Sequence, residues 1–430
     1  MERHAKLKLA LMTMSFTVTK VAEEFVAPSG GTAAAELSLP LSSLDHAMGL
    51  RFFVEVVAAY EGGGLLQSPA DAIRAALASA LAHYYPVAGR LVVSDEGELE
   101  VACTGEGVWF VEAKASRYSL SDLRNLEFPL VIPKEELLPC PPPSLNQHEM
   151  ILMMQVTELK CGGFVIGLKF NHMVFDGVGA GHFLNAIADI VRGLPGPAVE
   201  PVWLRKAIPA PPMRHPKPPP TVAYNFARSL RDFPPHAVNA IKDSYARGTS
   251  NRCTTFDALA AVLWRSRVRA IGLEPEADAH LVFPANVRHL VNAAGGGYYG
   301  NCVYCMTITK KSERVARAPV GEIVGWIREA KGSLAAKFAA WAAGDFEEDP
   351  FRVPIGYDAL NLSDWRAVGF HEVDYGRGAP RCVAPLNDHC FFAGGILLKQ
   401  PAPEQGVRFV GQVVTKEHEE DFVQQLKEFV

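Results

Sequence analysis

Residues 164–183, FVIGLKFNHMVFDGVGAGHF, constrain this chain more than any other stretch. Phe164, Ile166, Leu168 and Phe170 recur at every second position, the spacing of a strand that buries one side. From Val178 the apolar spacing changes. Phe183, Ala186, Ile187, Ile190, Val191 and Leu194 follow a helical period, and Gly193 with Pro195 supplies the stop. The sequence therefore demands a strand, a tight turn and a helix in immediate succession. His172 falls where the strand ends, and Asp176 and Gly177 close the turn. Side chains at such a junction project from a rigid scaffold, a common location for chemistry.

Three roles fit this pair of polar residues. Asp176 directly precedes the helix and can serve as its N-cap. A histidine and an acid can share a metal ion, but a third ligand should stand nearby and none follows, so no metal is expected. His172 can also be a general base, because a neutral imidazole accepts a proton near neutral pH.

The remainder of the chain narrows the setting. With 430 residues, 49 % of them hydrophobic, it can bury two or three cores or one pair of related halves. The net charge of −5, without a basic cluster interleaved with aromatics, argues against a nucleic-acid partner. The opening MERHAKLKLALMTM lacks the apolar core and cleavage site of a signal peptide, and no apolar run is long enough to span a bilayer. The closing Lys427-Glu428-Phe429-Val430 is not a peroxisomal address. A cytoplasmic monomer is the reading. Of eight scattered cysteines, Cys302 and Cys305 form one CxxC inside a strand-like stretch, a poor zinc site without a second pair. Reduced thiols fit better.

Along the chain, strands are expected at Ser15–Glu23, Arg51–Tyr60, Leu91–Ser94, Glu98–Cys103 and Val108–Ala113. Ser68-Pro69-Ala70-Asp71 opens a helix that runs to about His83. Met150–Thr157 and Phe164–Phe170 form a hairpin around Lys160-Cys161-Gly162-Gly163 and deliver His172. Proline is dense from Pro195 to Pro220, which suits an extended crossover between two halves. Beyond it a helix is expected near His236–Arg247. A second, with a capping-box start at Thr254-Thr255-Phe256-Asp257, runs through Arg269. Strands at Leu281–Val287 and Cys302–Thr309, a long helix over Val320–Ala343, a hairpin of Phe391–Lys399 with Val407–Val414, and a closing helix Glu417–Phe429 complete the reading. The glycine-rich Gly295–Asn301 lacks the Gly-Lys-Ser/Thr of a phosphate loop. Strands and helices alternate without a regular βαβ rhythm, so the fold class is α/β with α+β character: mixed sheets flanked by helices.

Several stretches together resemble the plant BAHD acyl-CoA-dependent acyltransferases. They are YYPVAGRL (84–91), NHMVFDG (171–177), CTTFDALAAVLW (253–264), NVR followed by GYYGN (286–301), SDW (363–365) and DYGRG (374–378). The second carries an HxxxDG motif. The last is similar to the family's DFGWG, with Tyr375 in place of Phe and Arg377 in place of Trp.

The resemblance implies a two-domain chloramphenicol-acetyltransferase-like fold with a tunnel between the domains. Its first domain would span 14–194 and carry HxxxDG, a crossover would span 195–225, and a second domain 226–430 would carry the DxGxG-like motif. It implies acyl-CoA as co-substrate, no permanently bound cofactor, and a small-molecule alcohol or amine as acceptor. His172 would be the base, with Ser363 and Trp365 standing at the oxyanion element. Asp176 would turn from the substrate to pair with Arg288, and Asp374, Gly376 and Gly378 would brace the structure. Thr254, Thr255 and Arg377 are the expected CoA-side residues. The pattern Leu41-Ser42-Ser43-Leu44-Asp45 with Gly49-Leu50-Arg51-Phe52 resembles the branch of benzyl alcohol benzoyltransferases, other alcohol acyltransferases and taxane acyltransferases. There Phe53, Val56 and Ala58 would line an apolar acceptor pocket that suits an aromatic or aliphatic alcohol better than a shikimate- or quinate-like polyol, unless they are ordinary core residues. The expected acyl group is benzoyl-like or acetyl. No G-x-S-x-G elbow is present, so direct transfer is expected rather than an acyl-enzyme. Two alternatives stay open: a non-catalytic relative that binds acyl-CoA or a partner, and a thioester hydrolase using the same histidine.

Overall fold

The computed structural model describes residues 16–30, 37–47, 49–63, 68–212, 222–291, 296–346 and 349–429. The amino-terminal stretch, Ser15, Gly64, the prolines at 218–220, Gly295 and Val430 lie outside the described residues.

Two six-stranded mixed sheets form the scaffold. The first runs in the order Thr19–Val26, Val108–Ala115, Leu152–Leu159, Phe164–Asn171, Phe53–Tyr60, Cys382–Pro385. All its neighbours are antiparallel except Val108–Ala115 with Leu152–Leu159. The second runs Val303–Lys311, Asp278–Asn286, Ala359–Asp364, Gly394–Lys399, Val407–Thr415, Phe226–Phe233, with Ala359–Asp364 parallel to both of its neighbours. A small sheet of Ser38–Pro40, Leu99–Ala102 and Arg90–Val93 stands beside the first. Among the described residues, no helix is long and apolar enough to cross a membrane.

Each large sheet carries its own core. Helices Pro69–His83 and Gly177–Val191 cover the first, burying Leu77, Leu81, Phe183 and Ile187. The second is packed around the helix Thr255–Ile271, whose Leu259, Leu263 and Trp264 are wholly enclosed. The division between halves is not clean. Cys382–Pro385, far along the second half, pairs with Phe53–Tyr60 and becomes the sixth strand of the first sheet.

Several elements depart from the sequence reading. The first strand begins at Thr19 and extends to Val26, later than expected. The long helix over Val320–Ala343 is broken into Val320–Gly332 and Leu334–Ala342. At the break the Ser333 hydroxyl donates to the Ala330 carbonyl at 2.8 Å, a back-bond that competes with helical pairing. Phe226–Phe233 and Ala359–Asp364 are strands without clean alternation, FARSLRDF and ALNLSD, and were not anticipated.

Candidate active site

The strand-to-helix switch stands as read: Phe164–Asn171 is the strand and Gly177–Val191 the helix. His172 is anchored at its backbone. Its N–H donates to the Phe52 carbonyl at 3.0 Å, and its carbonyl accepts from Asn301 Nδ2 at 2.8 Å. The glycines after Asp176 have a steric reason. A Cβ on Gly179 would collide with the Tyr299 carbonyl, and one on Gly181 with the Val368 carbonyl. Both carbonyls belong to the second half, so the glycines let the helix start press directly against it.

His172 opens on a cavity of about 190 Å³ between the two large sheets. The first half supplies Phe52, Val54 and His172, and the second half supplies Asn361, Ser363, Trp365 and Ile396 among others. The half-buried imidazole lies 5.3 Å from the Phe52 ring, centroid to centroid. Its buried Nδ1 has no hydrogen-bond partner. Burial pushes its pKa below the ordinary histidine value, against a smaller opposing pull from its own backbone, Asp176, Asn301 and Asp45. The ring is therefore neutral at neutral pH.

Asp176 is turned to other work. Its Oδ1 caps the helix by accepting from Gly179 N at 2.9 Å, and Oδ2 accepts from Cys302 N at 3.1 Å. Arg288 grips both oxygens at 2.8 Å, a bidentate pair with both side chains nearly buried. Burial lowers the Arg288 pKa, but the Asp176 charge and hydrogen bonds outweigh it, so the net shift is upward. Capping and pairing are thus one function of the same carboxylate.

The other anticipated residues fall in different places. Ser363, on the strand Ala359–Asp364, and Trp365, just past its end, line the cavity with His172. Asp374 Oδ1 accepts from the backbone N–H of Gly376, Arg377 and Gly378 at 2.8, 2.9 and 2.7 Å. Gly376 and Gly378 adopt φ of 80° and 85°, which closes this nest and which side-chain-bearing residues rarely take. Arg377 reaches away from the cavity. It donates to the Gly162 carbonyl at 2.6 Å, and its guanidinium lies 5.5 Å from the Phe164 ring centroid. Thr254 is the capping-box residue: its hydroxyl accepts from Asp257 N at 3.1 Å, and Thr255 begins the helix.

The acceptor-side expectation needs correction. None of Phe53, Val56 and Ala58 is among the residues lining the His172 cavity. Alternation turns Phe53 to the opposite side from Val54, onto an outer groove with Arg51 and His148. Val56 and Ala58 share the face of Val54 but lie further along, around a separate small void with Leu184, Phe370 and Tyr375. Phe52 and Val54 take their place. Nor is the cavity purely apolar: Arg228, Asn387, His389 and Gln412 join its wall, none of them anticipated.

Two further residues escaped the sequence reading although they touch the histidine turn. Asn301 ends the GYYGN stretch, a signal in itself, and holds the His172 carbonyl. Arg205 sits in the proline-dense crossover, where only the preceding Trp203 hinted at burial. It is enclosed and donates to the Val174 carbonyl at 2.6 Å.

Comparison with known proteins fits this geometry. A family model described as the Transferase family matches residues 16–428. Acyl transferase 4 of Oryza sativa subsp. japonica is 43 % identical, with 97 % of this chain and 100 % of the relative aligned. The chain belongs to the plant BAHD acyltransferase family. It is an acyl-CoA-dependent acyltransferase. Myricetin 3-O-glucosyl 1,2-rhamnoside 6'-O-caffeoyltransferase AT2 of Crocosmia x crocosmiiflora is 40 % identical over 97 % of this chain and 100 % of its own length. Among solved structures, Vinorine Synthase shares the fold with a TM-score of 0.75 at 20 % identity, covering 96 % of this chain and 98 % of its own.

Proposed function

We propose that this acyltransferase moves an aromatic acyl group, benzoyl or hydroxycinnamoyl in kind, or alternatively acetyl, from CoA to a hydroxyl of a small-molecule acceptor. An amine is the alternative nucleophile. The supporting observation is the convergence of His172, Ser363 and Trp365 on one cavity walled by both halves.

His172 removes the acceptor's hydroxyl proton as its oxygen attacks the thioester carbonyl carbon. The Ser363 hydroxyl donates to the resulting oxyanion, beside Trp365. Collapse of the tetrahedral intermediate breaks the C–S bond, and the imidazolium returns the proton to the departing thiolate. The products are an ester and free CoA. Burial favours this cycle by keeping the resting imidazole unprotonated. Phe52, Trp365 and Phe392 suit an aromatic ring, while Asn361, His389 and Gln412 suit substituents that hydrogen bond. The caffeoyltransferase relative is consistent with a hydroxylated aromatic donor.

The test is thiol release from benzoyl-CoA, caffeoyl-CoA and acetyl-CoA, with and without benzyl alcohol, a flavonol glycoside or an aromatic amine. Acceptor-dependent release with ester formation supports the proposal. Acceptor-independent release identifies thioester hydrolysis instead, and no release across the panel means that the proposed donor or acceptor classes are wrong. His172→Ala should lose about two to four orders of magnitude in turnover.

A further inference from the structure

We propose that Asp45 and Arg205 form a second brace for the His172 turn and act as positioning residues for the base, independently of the Asp176–Arg288 pair. The proposal rests on the reading of His172 as the base.

The two side chains are completely enclosed, each with 0 % exposure, and Arg205 Nε meets Asp45 Oδ2 at 2.8 Å. Burying such a pair carries a desolvation cost that its own attraction often fails to recover, so stability alone is a weak reason for it. Its connections supply a better one. Asp45 Oδ2 also accepts from Ser42 N and Oγ at 2.8 and 2.7 Å. Oδ1 accepts from Asn301 N and Nδ2 at 3.1 and 2.8 Å, and the same Nδ2 continues to the His172 carbonyl at 2.8 Å. Arg205 Nη2 reaches the Val174 carbonyl, and its guanidinium stacks 3.5 Å from the Trp203 ring centroid.

Two carbonyls of the turn, at His172 and Val174, are therefore held by partners of one ion pair. Asp176 and Arg288 hold the turn's far end. The imidazole Nδ1 has no hydrogen-bond partner, and the polar groups that act on the ring at close range are its own backbone and Asn301, both tied into this network. A loosened backbone would transmit its error directly to the base. This also gives the crossover a purpose beyond connection, since Arg205 lies within it.

The charges make the idea testable. The charged groups around His172 are the pairs Asp45–Arg205 and Asp176–Arg288, with Arg228 on the cavity wall beside the titratable His389, which burial keeps neutral near neutral pH. A nearby carboxylate favours the imidazolium. Asp45→Asn should therefore lower the pH at which His172 titrates. Arg205→Met leaves Asp45 unpaired and should raise it. Arg205→Lys keeps the charge but loses the planar fork, so titration should stay near wild type while kcat falls. Opposite shifts show that the charges of the pair reach His172, and the loss of kcat in Arg205→Lys at unchanged titration is what a purely structural pair would not produce.

Titration is read from the rate at which diethyl pyrocarbonate modifies the His172 peptide across pH, followed by mass spectrometry, which needs no catalytic activity. Opposite shifts in Asp45→Asn and Arg205→Met, together with a lowered kcat in Arg205→Lys at unchanged titration, support the proposal. Unchanged titration in both, shifts of the same sign, or a wild-type kcat in Arg205→Lys overturns it. If Arg205→Met does not fold, Asn301→Ser decides, because it removes the donor to the His172 carbonyl and leaves the ion pair. Its kcat should fall on the order of 10- to 100-fold with little change in KM for acyl-CoA, and a wild-type kcat overturns the proposal. If opposite shifts appear in a protein that transfers no acyl group, the base reading fails while the brace stands.

Discussion

Replacing Asp176 with asparagine separates bracing from chemistry. The carboxylate is 5 % exposed and every contact it makes is with a donor: Gly179 N, Cys302 N and two Arg288 nitrogens. Asparagine keeps one acceptor oxygen. Whichever way its amide turns, the NH₂ faces donors and one side of the Arg288 fork is lost. Removing one partner of a buried pair typically costs about 3–5 kcal/mol. Arg288 retains the Gly300 carbonyl at 2.9 Å and the Tyr298 carbonyl at 3.3 Å, and its side chain is 14 % exposed, so the low end applies. A loss of about 3 kcal/mol, at roughly 2–4 °C per kcal/mol for a domain of this size, lowers Tm by about 6–12 °C. A turn displaced by even about 1 Å lowers turnover on the order of 100-fold.

Thermal unfolding by circular dichroism and steady-state turnover, measured beside His172→Ala, provide the comparison. His172→Ala should keep its Tm and lose its rate, whereas Asp176→Asn should lose both. A rate collapse in Asp176→Asn at unchanged Tm would mean that the carboxylate acts on the imidazole directly, and the bracing argument would fail.

Ser363→Ala removes the proposed oxyanion donor, so kcat should fall about 100- to 1,000-fold with KM nearly constant; a wild-type kcat would move that role elsewhere. Burial lowers the His172 pKa, so kcat/KM should hold steady near neutral pH and decline only as pH falls through that lowered value. The sign for stability is the same: the contribution is present above the unfolded pKa and lost on acidification, and an acid limb above the ordinary histidine value would contradict it. Arg377→Trp should leave KM for acyl-CoA unchanged, because the guanidinium is bonded to the Gly162 carbonyl. A KM rise that shrinks at high salt would place it on a phosphate.

The parts of the site that were legible in the sequence are those governed by local rules. The change from period 2 to period 3.6 located His172, and the capping position of Asp176 followed from the helix start. The capping box at Thr254 was equally local. What failed was any inference that required knowing how far along a strand the cavity extends. Val56 lies on the same face as Val54, two residues on, yet lines a different void. Phe53 is one residue from both Phe52 and Val54, and the pleat turns it outward. Arg205 was opaque for another reason. A proline-rich segment reads as solvent-facing connection, and nothing local says that one arginine within it is fully enclosed.

The strand Cys382–Pro385 shows why the cavity wall could not be assigned to either half from sequence order. The Asp374 nest stands shortly before this strand and already packs on the first half: Arg192 donates to the Asp374 carbonyl, and Tyr375 is buried in the first core. Pairing with Phe53–Tyr60 then carries the chain along the edge of the first sheet. Immediately beyond, Asn387 is clamped by the strand that bears Val54: Glu55 N donates to its Oδ1 and its Nδ2 donates to the Phe53 carbonyl, both at 2.8 Å. Arg228, from the opposite edge of the second sheet, donates to the Asn387 carbonyl at 2.8 Å and to Asp388 at 2.7 Å. His389 follows, its N–H on Gln412 at 3.2 Å, and the chain re-enters the second sheet at Gly394. Two polar residues of the wall facing His172, Asn387 and His389, thus come from a segment that runs between the two sheets, while Arg228 and Gln412 come from strands of the second. None of the described DYGRG residues lines that cavity; the turn is tied instead to Gly162 and Arg192 of the first half, so its part is to hold the backbone there rather than to meet a substrate.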